Sequence, residues 1–439
     1  MKRITYWAGS LAILATLGAC GKGANKPKTA VLGERIPVLG AHTGVEIEAS
    51  IADVPVAAPA PVANAAWSQP GGSADKAMGH LAIGSQPTRV WATTIAGDAK
   101  GERLVSAPVV ADGRLYVVDA EAVVHAYDAK TGAPVWQAAI STGKENRHSF
   151  FGGGVSFDGG QVFATSGLGD VAALDAATGK ELWRKHPGGP LRGAPTIGAG
   201  NIYVLAQDNQ IFAMRQDNGE TVWTAAATLV QAGVVGVAAP AYAQGTVVAG
   251  FSSGELTAFR YENGRDVWQD ALTPTSISTS VSSLSDIDAS PVIEQGRVYA
   301  VGQGGRMVAM ELTTGQRLWE INIGGIATPW VAGEWLFVVT DEGRLVCIAK
   351  TTGKIRWIAD LPRWRNAKKK TGAVGWYGPV LAGGHLLLTN TRGELVSVGI
   401  AKGEVESTVE AGKSFNLGPV VADQMLYLLD NKGRLTAWR

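Results

Sequence analysis

The chain has 439 residues, of which 46% are hydrophobic, 18% are charged and 57 are glycine, a composition typical of a globular, turn-rich protein. Lys and Arg total 39 against 38 for Asp and Glu, so the formal net charge of +1 gives no indication of nucleic-acid binding or of a strongly acidic ligand.

The N-terminus has the plan of a bacterial export signal. "MKR" is followed by the apolar run "ITYWAGSLAILATLGA", which is too short for a comfortable membrane span. The ending "LGAC" at 17–20 resembles the lipobox of bacterial lipoproteins, and this resemblance implies cleavage after residue 19 and lipidation of Cys20. We predict a signal peptide over 1–19 and a lipid anchor at Cys20; an ordinary cleaved signal is the alternative. With Cys20 lipidated, Cys347 is the only other cysteine, and no intramolecular disulfide can form.

The segment that follows has a different composition. Residues 21–66 are rich in Ala, Pro and Val, contain no Phe, Trp or Tyr, and show no sustained hydrophobic period. Such a composition is typical of a linker. We therefore predict a tether over 20–66, between the lipid anchor and the folded domain.

A repeat occupies the rest of the chain. In six copies a tryptophan follows a turn glycine by four residues, and a seventh, degenerate copy has Gly403 and Ser407 in those places. The six pairs are Gly132 and Trp136, Gly179 and Trp183, Gly219 and Trp223, Gly264 and Trp268, Gly315 and Trp319, and Gly353 and Trp357. Six residues before each of the seven glycines stands a small side chain: Ala126, Ala173, Ala213, Ala258, Ala309, Cys347 and Ser397, with Ala437 as the eighth at the chain end.

Each complete copy contains four short apolar segments separated by turn residues. Such units, repeated eight times, predict an all-β fold: an eight-bladed β-propeller of four-stranded antiparallel blades over 67–439. The repeated tryptophans are predicted to pack between blades, because a large aromatic side chain at one fixed place in every sheet is typical of core packing. Cys347 occupies the small-residue position and is predicted to be a buried spacer.

The last copy stops at Arg439 and lacks its fourth strand. An unassigned strand, "TRVWATTIA" with Trp91, lies before the first complete copy. We predict that this N-terminal strand completes the last blade and leaves no unpaired sheet edge.

Signals of catalysis are absent from the sequence. The histidines are scattered, and no HExxH, GxSxG, Walker or CxxCH motif occurs. The repeat "DAATGKELW" resembles that of pyrroloquinoline-quinone dehydrogenases, and that family implies an adjacent cysteine pair, a bound calcium and a catalytic aspartate. The two cysteines here are not adjacent. A quinone-dependent enzyme stays an alternative, as does an envelope propeller for another ligand; our prediction is a non-enzyme without cofactor, metal or small-molecule substrate.

The lipobox, the tether and the eight tryptophan blades together resemble the BamB family, the propeller lipoproteins of the outer-membrane β-barrel assembly (BAM) machinery. The similarity includes "AAWSQPGG" at 65–72 and "SSLSDIDASPVI" at 282–293. It implies a scaffold anchored to the periplasmic face of the outer membrane, which binds the POTRA domains of BamA and assists insertion of outer-membrane proteins. No nucleic-acid partner is expected.

Two long connections between repeats are candidate binding loops, because insertions in propellers gather on one face. Pro291 follows Trp268 by 23 residues, and Pro379 follows Trp357 by 22. Both are expected on the same face, two blades apart.

The first long connection contains "LSDID", with Leu284, Asp286 and Asp288. The family resemblance implies that this acidic pair contributes to contact with BamA; the alternative is that the two aspartates cap a turn. The family's second contact, a Leu-rich segment ending in Arg-Gly, falls near "LVQAGVVGV", where Val235 stands in place of the Arg.

The second long connection carries the basic run "PRWRNAKKK". We consider it a candidate contact for an acidic protein surface or for anionic lipid headgroups, with an ordinary solvated loop as the alternative. Its cations are Arg363, Arg365, Lys368, Lys369 and Lys370.

Overall fold

The computed structural model describes residues 45–84, 87–97, 104–141, 153–230, 238–272 and 286–439. A 3-10 turn, Ala49–Ile51, precedes the strands, and none of the described residues forms a helix long and apolar enough to cross a membrane. The predicted signal peptide, Cys20 and the first part of the tether lie outside the described residues. All of the described residues belong to one compact unit.

The strands form eight four-stranded antiparallel sheets, which confirms the predicted propeller. β1 is Arg89–Thr94. Blade 1 contains β2 (Val109–Ala111), β3 (Arg114–Val118), β4 (Val123–Asp128) and β5 (Pro134–Ala139); blade 2 contains β6 (Gly153–Asp158), β7 (Gln161–Ser166), β8 (Val171–Asp175) and β9 (Glu181–Lys185). Blade 3 contains β10 (Thr196–Gly198), β11 (Asn201–Leu205), β12 (Gln210–Arg215) and β13 (Thr221–Ala226); blade 4 contains β14 (Ala241–Ala243), β15 (Thr246–Gly250), β16 (Glu255–Arg260) and β17 (Asp266–Ala271).

The second half of the chain repeats this plan. Blade 5 contains β18 (Val292–Glu294), β19 (Arg297–Gly302), β20 (Arg306–Glu311) and β21 (Arg317–Ile321); blade 6 contains β22 (Trp330–Ala332), β23 (Trp335–Val339), β24 (Arg344–Ala349) and β25 (Ile355–Asp360). A separate hairpin, β26 (Trp364–Asn366) and β27 (Thr371–Ala373), precedes blade 7, which contains β28 (Trp376–Ala382), β29 (His385–Asn390), β30 (Glu394–Gly399) and β31 (Val405–Glu410). Blade 8 contains β32 (Val420–Ala422), β33 (Met425–Leu429) and β34 (Arg434–Trp438), and β1 is its fourth strand.

Ring closure joins the two ends of the propeller sequence, as predicted. β1 pairs antiparallel with β34, with Trp91 opposite Ala437 and Thr94 opposite Arg434. The backbones of Thr88 and Arg439 exchange two hydrogen bonds of 2.7 and 2.9 Å. The chain terminus therefore pairs with the N-terminal strand, and blade 8 has no missing strand.

The repeat spacing has a direct structural cause. In seven of the eight blades the small residue of the third strand lies opposite the tryptophan of the fourth, as Ala126 lies opposite Trp136 and Cys347 opposite Trp357; in blade 7, Ser397 lies opposite Ser407. In blades 1–7 the register shifts by one residue directly after that pair. A small side chain at this place leaves room beside the large indole of its cross-strand neighbour.

Each tryptophan of the repeat contacts the following blade. Its indole nitrogen donates a hydrogen bond of 2.7–3.0 Å to a backbone carbonyl there, from Trp91 to Ala129, Trp136 to Ala176, Trp183 to Gln216, Trp223 to Tyr261, Trp268 to Leu312, Trp319 to Lys350 and Trp357 to Ile400. Its ring covers the turn glycine of that blade so closely that a Cβ on Gly132 would lie 2.6 Å from Trp91. The glycine and the tryptophan of one repeat therefore belong to two successive blade interfaces.

Part of the N-terminal segment before β1 runs along the innermost strands of the ring. We call residues 62–83 the strap; it contacts the innermost strand of every blade. At least one strap residue forms a hydrogen bond with each blade. These residues are Asn64 (blade 8), Trp67 (blade 1), Ser68 (blade 2), Gln69 and Lys76 (blade 3), Ala74 (blade 4), Asp75 (blade 5), Gly79 (blade 6) and Leu81 (blade 7). The strap thus links all eight blades, with Trp67 stacked on Trp330 at a centroid distance of 6.0 Å.

Part of the predicted tether also lies on the propeller. The backbone of Glu48 donates to Ile355 in blade 6, and the Arg356 side chain donates to the carbonyl of Val54 at 2.6 Å. Val56 is buried. Residues 45–61 therefore pack against blade 6 and lead into the strap; the domain boundary at residue 66 stays a prediction.

Candidate partner-binding site

The two faces of the ring differ in what they carry. Because the blades are antiparallel meanders, the turns after first and third strands lie on one face, and the turns after second strands share the other face with the connections between blades. We call these the strap face and the connection face. The tether residues contact Gly333 and Lys354, which lie in strap-face turns of blade 6. The second long connection lies on the connection face, as do the described residues 286–291 that end the first.

A cavity of about 360 Å³ occupies the centre of the ring. Trp67, Gln69 and Lys76 of the strap line it, together with residues that precede or begin the innermost strands on the connection face. Those residues include Ser106, Ala107, Ala194, Asp288, Ser290, Thr328, Tyr377 and Leu417. The end of the first long connection and the base of the second therefore meet at the end of this cavity that lies on the connection face, which we call the channel mouth.

The acidic pair of the first long connection is buried in a charge cluster. Asp286 is 1% exposed and Asp288 is 8% exposed. The same nitrogen, Nη2 of Arg192, lies 3.1 Å from Asp286 Oδ1 and 3.0 Å from Asp288 Oδ1. Arg192 itself is 2% exposed and belongs to the connection between blades 2 and 3. One guanidinium therefore joins that connection to the start of blade 5.

Burial has a clear electrostatic effect in this cluster. It raises the pKa of Asp288 well above the usual range of an aspartate; the neighbouring Asp286 carboxylate adds to the shift, and Arg192 opposes it. Two carboxylates so close together require a cation between them to remain ionised. Arg192 is therefore the group that stabilises the ionised form of Asp288.

The structure describes only some of the predicted site residues of this connection. Leu284 and Val235 lie outside the described residues. The two aspartates are described, but their side chains face Arg192 rather than solvent. Arg192 was missed by sequence reasoning, which looked for the Arg-Gly segment one blade before "LSDID". The triplet Leu191-Arg192-Gly193, in "PLRGAP" two blades before, was the available signal.

Lys76 is a second buried ion, at the strap side of the cavity. It is 1% exposed, and its Nζ donates to Thr196 Oγ1 at 3.2 Å. Loss of hydration lowers the pKa of Lys76 to about 7, with nearby Asp75 opposing the shift. Buried amines of this kind destabilise a fold when they are protonated.

We expect Lys76→Met to stabilise the protein at pH 7 by on the order of 2 kcal/mol, because it removes a buried ionisable group. The folded-state pKa of Lys76 lies below the unfolded value of 10.5. The stability that Lys76 contributes is therefore fully present above pH 10.5 and is lost as the pH falls through about 7. Urea unfolding at pH 7 and pH 9.5 measures this effect. The gain should be smaller at pH 9.5; an equal change at both pH values would contradict the assignment.

The basic run of the second long connection forms the hairpin β26–β27. Trp364 pairs with Ala373 and Asn366 with Thr371, and the tip is formed by residues 367–370. Its five cations, Arg363, Arg365, Lys368, Lys369 and Lys370, are all exposed, and Trp364 is half-buried. The run is therefore an ordered hairpin rather than an irregular loop.

Among the described residues, no group of three or more His, Cys, Asp or Glu side chains lies close enough together to hold a metal ion. Cys347 is fully buried opposite Trp357, and burial raises its thiol pKa.

Sequence comparison places these features in a family. The profile of the family described as "Outer membrane protein assembly factor BamB" matches residues 82–146 and 120–359, which together are more than half of the chain. The chain belongs to the BamB family. The BamB protein of Yersinia pestis is 26% identical over 357 residues, covering 80% of this chain and 88% of that protein. The BamB protein of Escherichia coli K12 is 25% identical over 351 residues, covering 79% and 87%.

Solved structures share the propeller. The crystal structure of BamB from Moraxella catarrhalis superimposes with a TM-score of 0.66 at 19% identity, covering 81% of this chain and 100% of that one. The quinohemoprotein alcohol dehydrogenase of Comamonas testosteroni gives 0.67 at 14% identity, covering 85% and 80%. At such identities both similarities show the fold alone. Membership of the BamB family rests on the sequence.

Proposed function

We propose that this chain is a non-enzymatic scaffold of the BAM complex, held by a lipid on Cys20 at the periplasmic face of the outer membrane, where it binds the POTRA region of BamA and assists insertion of outer-membrane proteins. Family membership carries the proposal, because the relatives named above are outer-membrane protein assembly factors. The lipobox sequence supports the anchor.

The connection face at the channel mouth is the proposed BamA-binding surface. Because Asp286 and Asp288 are buried, we infer that they position the connection and do not touch the partner themselves. Bound to Arg192, they fix the end of the connection that contains Leu284. In this proposal Leu284 and its neighbours touch the partner, while the charge cluster holds their connection in place. Connections on a rigid ring are well suited to such a role.

The test is a mild-detergent pull-down of the tagged protein from its native envelope, with mass spectrometry of the retained proteins and of the tagged protein's own N-terminal peptide. We expect BamA among the retained proteins and an acylated Cys20. A Cys20→Ser variant should lose the acyl group and leave the membrane fraction. A preparation without BamA, or one with a quinone absorption band, would contradict the proposal.

A further inference from the structure

The hairpin β26–β27, residues 363–373, is firmly attached to blade 7. Nη2 of Arg392 donates to the Trp364 carbonyl at 2.9 Å, and Arg365 donates to the Thr391 carbonyl. At its base, the Val374 amide donates to the Arg363 carbonyl at 2.9 Å, and the Trp376 indole donates to the Pro362 carbonyl at 3.0 Å. These contacts hold the hairpin in place through backbone carbonyls and the Arg365 side chain, and Lys368, Lys369 and Lys370 at its tip remain exposed.

The charge of this hairpin is not compensated nearby. Among the described residues, none of its five cations has an acidic group within the 4.0 Å of an ion pair. The acids flanking its base, Glu342 and Asp360, each lie 3.3 Å from Arg344 and are engaged with it. An ordered element with five uncompensated positive charges produces a strong local field, although the whole protein is almost neutral.

The position of the hairpin favours a protein partner over a lipid surface. It rises from the connection face, directly before Tyr377 and Gly378 at the channel mouth. The N-terminal residues that lead toward the predicted anchor lie on the strap face, at Gly333 and Lys354. The tip, Ala367 to Lys370, contains no large apolar side chain that could insert into a bilayer. Trp364, the one aromatic residue of the hairpin, is half-buried.

We propose that this hairpin binds a carboxylate-rich surface of the protein that covers the channel mouth. The inference rests on the proposed function, in which that protein is BamA, and extends it by assigning a second contact two blades from the charge cluster. Charge complementarity at the rim of an interface mainly accelerates association and selects the orientation of the partner. Exposed, uncompensated cations on a fixed hairpin are suited to that role.

The test compares two variants that change the net charge equally. The first is Lys368→Glu with Lys369→Glu and Lys370→Glu. The matched control is Lys130→Glu with Lys180→Glu and Lys402→Glu, three exposed lysines in strap-face turns. Binding of each full-length mature protein to the purified periplasmic domains of BamA from the same organism is measured by biolayer interferometry at about 50 and about 300 mM sodium chloride. Vesicles containing phosphatidylglycerol serve as a second probe.

We expect the hairpin variant to lose about tenfold in affinity at low salt, mostly in the association rate, and the control to bind like the parent. At high salt the difference should shrink, because exposed charges are screened. Equal losses of affinity in both variants would show that net charge alone causes the effect and would overturn the inference. Binding of the hairpin variant as tightly as the parent would also overturn it. Loss of vesicle binding alone would assign the hairpin to the membrane instead. A parent protein that does not bind the BamA domains would overturn the proposed function itself, and the inference with it.

Discussion

Replacing Arg192 by methionine is expected to lower the free energy of unfolding by about 3–5 kcal/mol at neutral pH, because it leaves the buried carboxylates of Asp286 and Asp288 without the cation between them. Urea unfolding followed by tryptophan fluorescence measures this loss. Arg215→Met is the matched control: Arg215 pairs with Asp217 at 2.8 Å on the surface, where an ion pair contributes little to stability.

The stability lost in Arg192→Met should increase as the pH rises. Burial raises the folded-state pKa of Asp288 above its unfolded value, and Arg192 opposes the shift. A group of this kind contributes stability that is fully present below the unfolded pKa and is lost as the pH rises through the folded pKa. Without Arg192 the folded pKa rises further, so the deficit of Arg192→Met should be larger at pH 7.5 than at pH 5. A deficit independent of pH would contradict the assignment.

A neutral version of the cluster separates stability from partner binding. Arg192→Met combined with Asp286→Asn and Asp288→Asn removes all three charges, and we expect it to recover most of the lost stability. If the cluster positions the connection that contains Leu284, this variant should still bind the BamA domains less tightly than the parent, mainly through faster dissociation. Parental binding by the stable triple variant would exclude a positioning role.

The fold could be predicted because the repeat encodes contacts that recur in every blade. The small residue faces its tryptophan across two neighbouring strands, as Ala213 faces Trp223, so both are fixed by position within one repeat. The missing fourth strand of the last copy likewise required a partner, and only the strand with Trp91 was unassigned. Periodicity therefore specified the blades, their order and the closure of the ring.

The candidate site could be predicted only in part, because its contacts cross between repeats. Arg192 and Asp286 are 94 residues apart, and their repeats are not neighbours in the chain. Nothing in a repeat pattern states which side chains of different connections meet. The strap could not be predicted from the sequence either. Its contacts with eight innermost strands follow no period, so the burial of Lys76 has no sequence signature. For the basic run, the sequence indicated charge but not the hairpin that carries it.

Replacing β1, Arg89–Thr94, by six Gly and Ser residues is expected to remove about half of the folding stability, out of a typical total of about 5–15 kcal/mol. The change deletes the pairing of β1 with β34 and the Trp91 contacts with Ala129 and Gly132 in blade 1. It also exposes the edge of β34, a pairing template for other chains. Length is kept, so the strap can still reach its blades.

The matched control replaces β31, Val405–Glu410, in the same way. β31 is also an outermost strand, but it is exposed along its length and has Ser407 where other blades have tryptophan. Blade 7 stays joined to blade 8 through the chain, whereas β1 closes the ring by pairing alone. We therefore expect the β31 variant to melt only slightly below the parent and the β1 variant to melt far below it. Hydrogen exchange should localise the β1 defect to β34, and equal melting of the two variants would show that closure by β1 does not limit the stability of the ring.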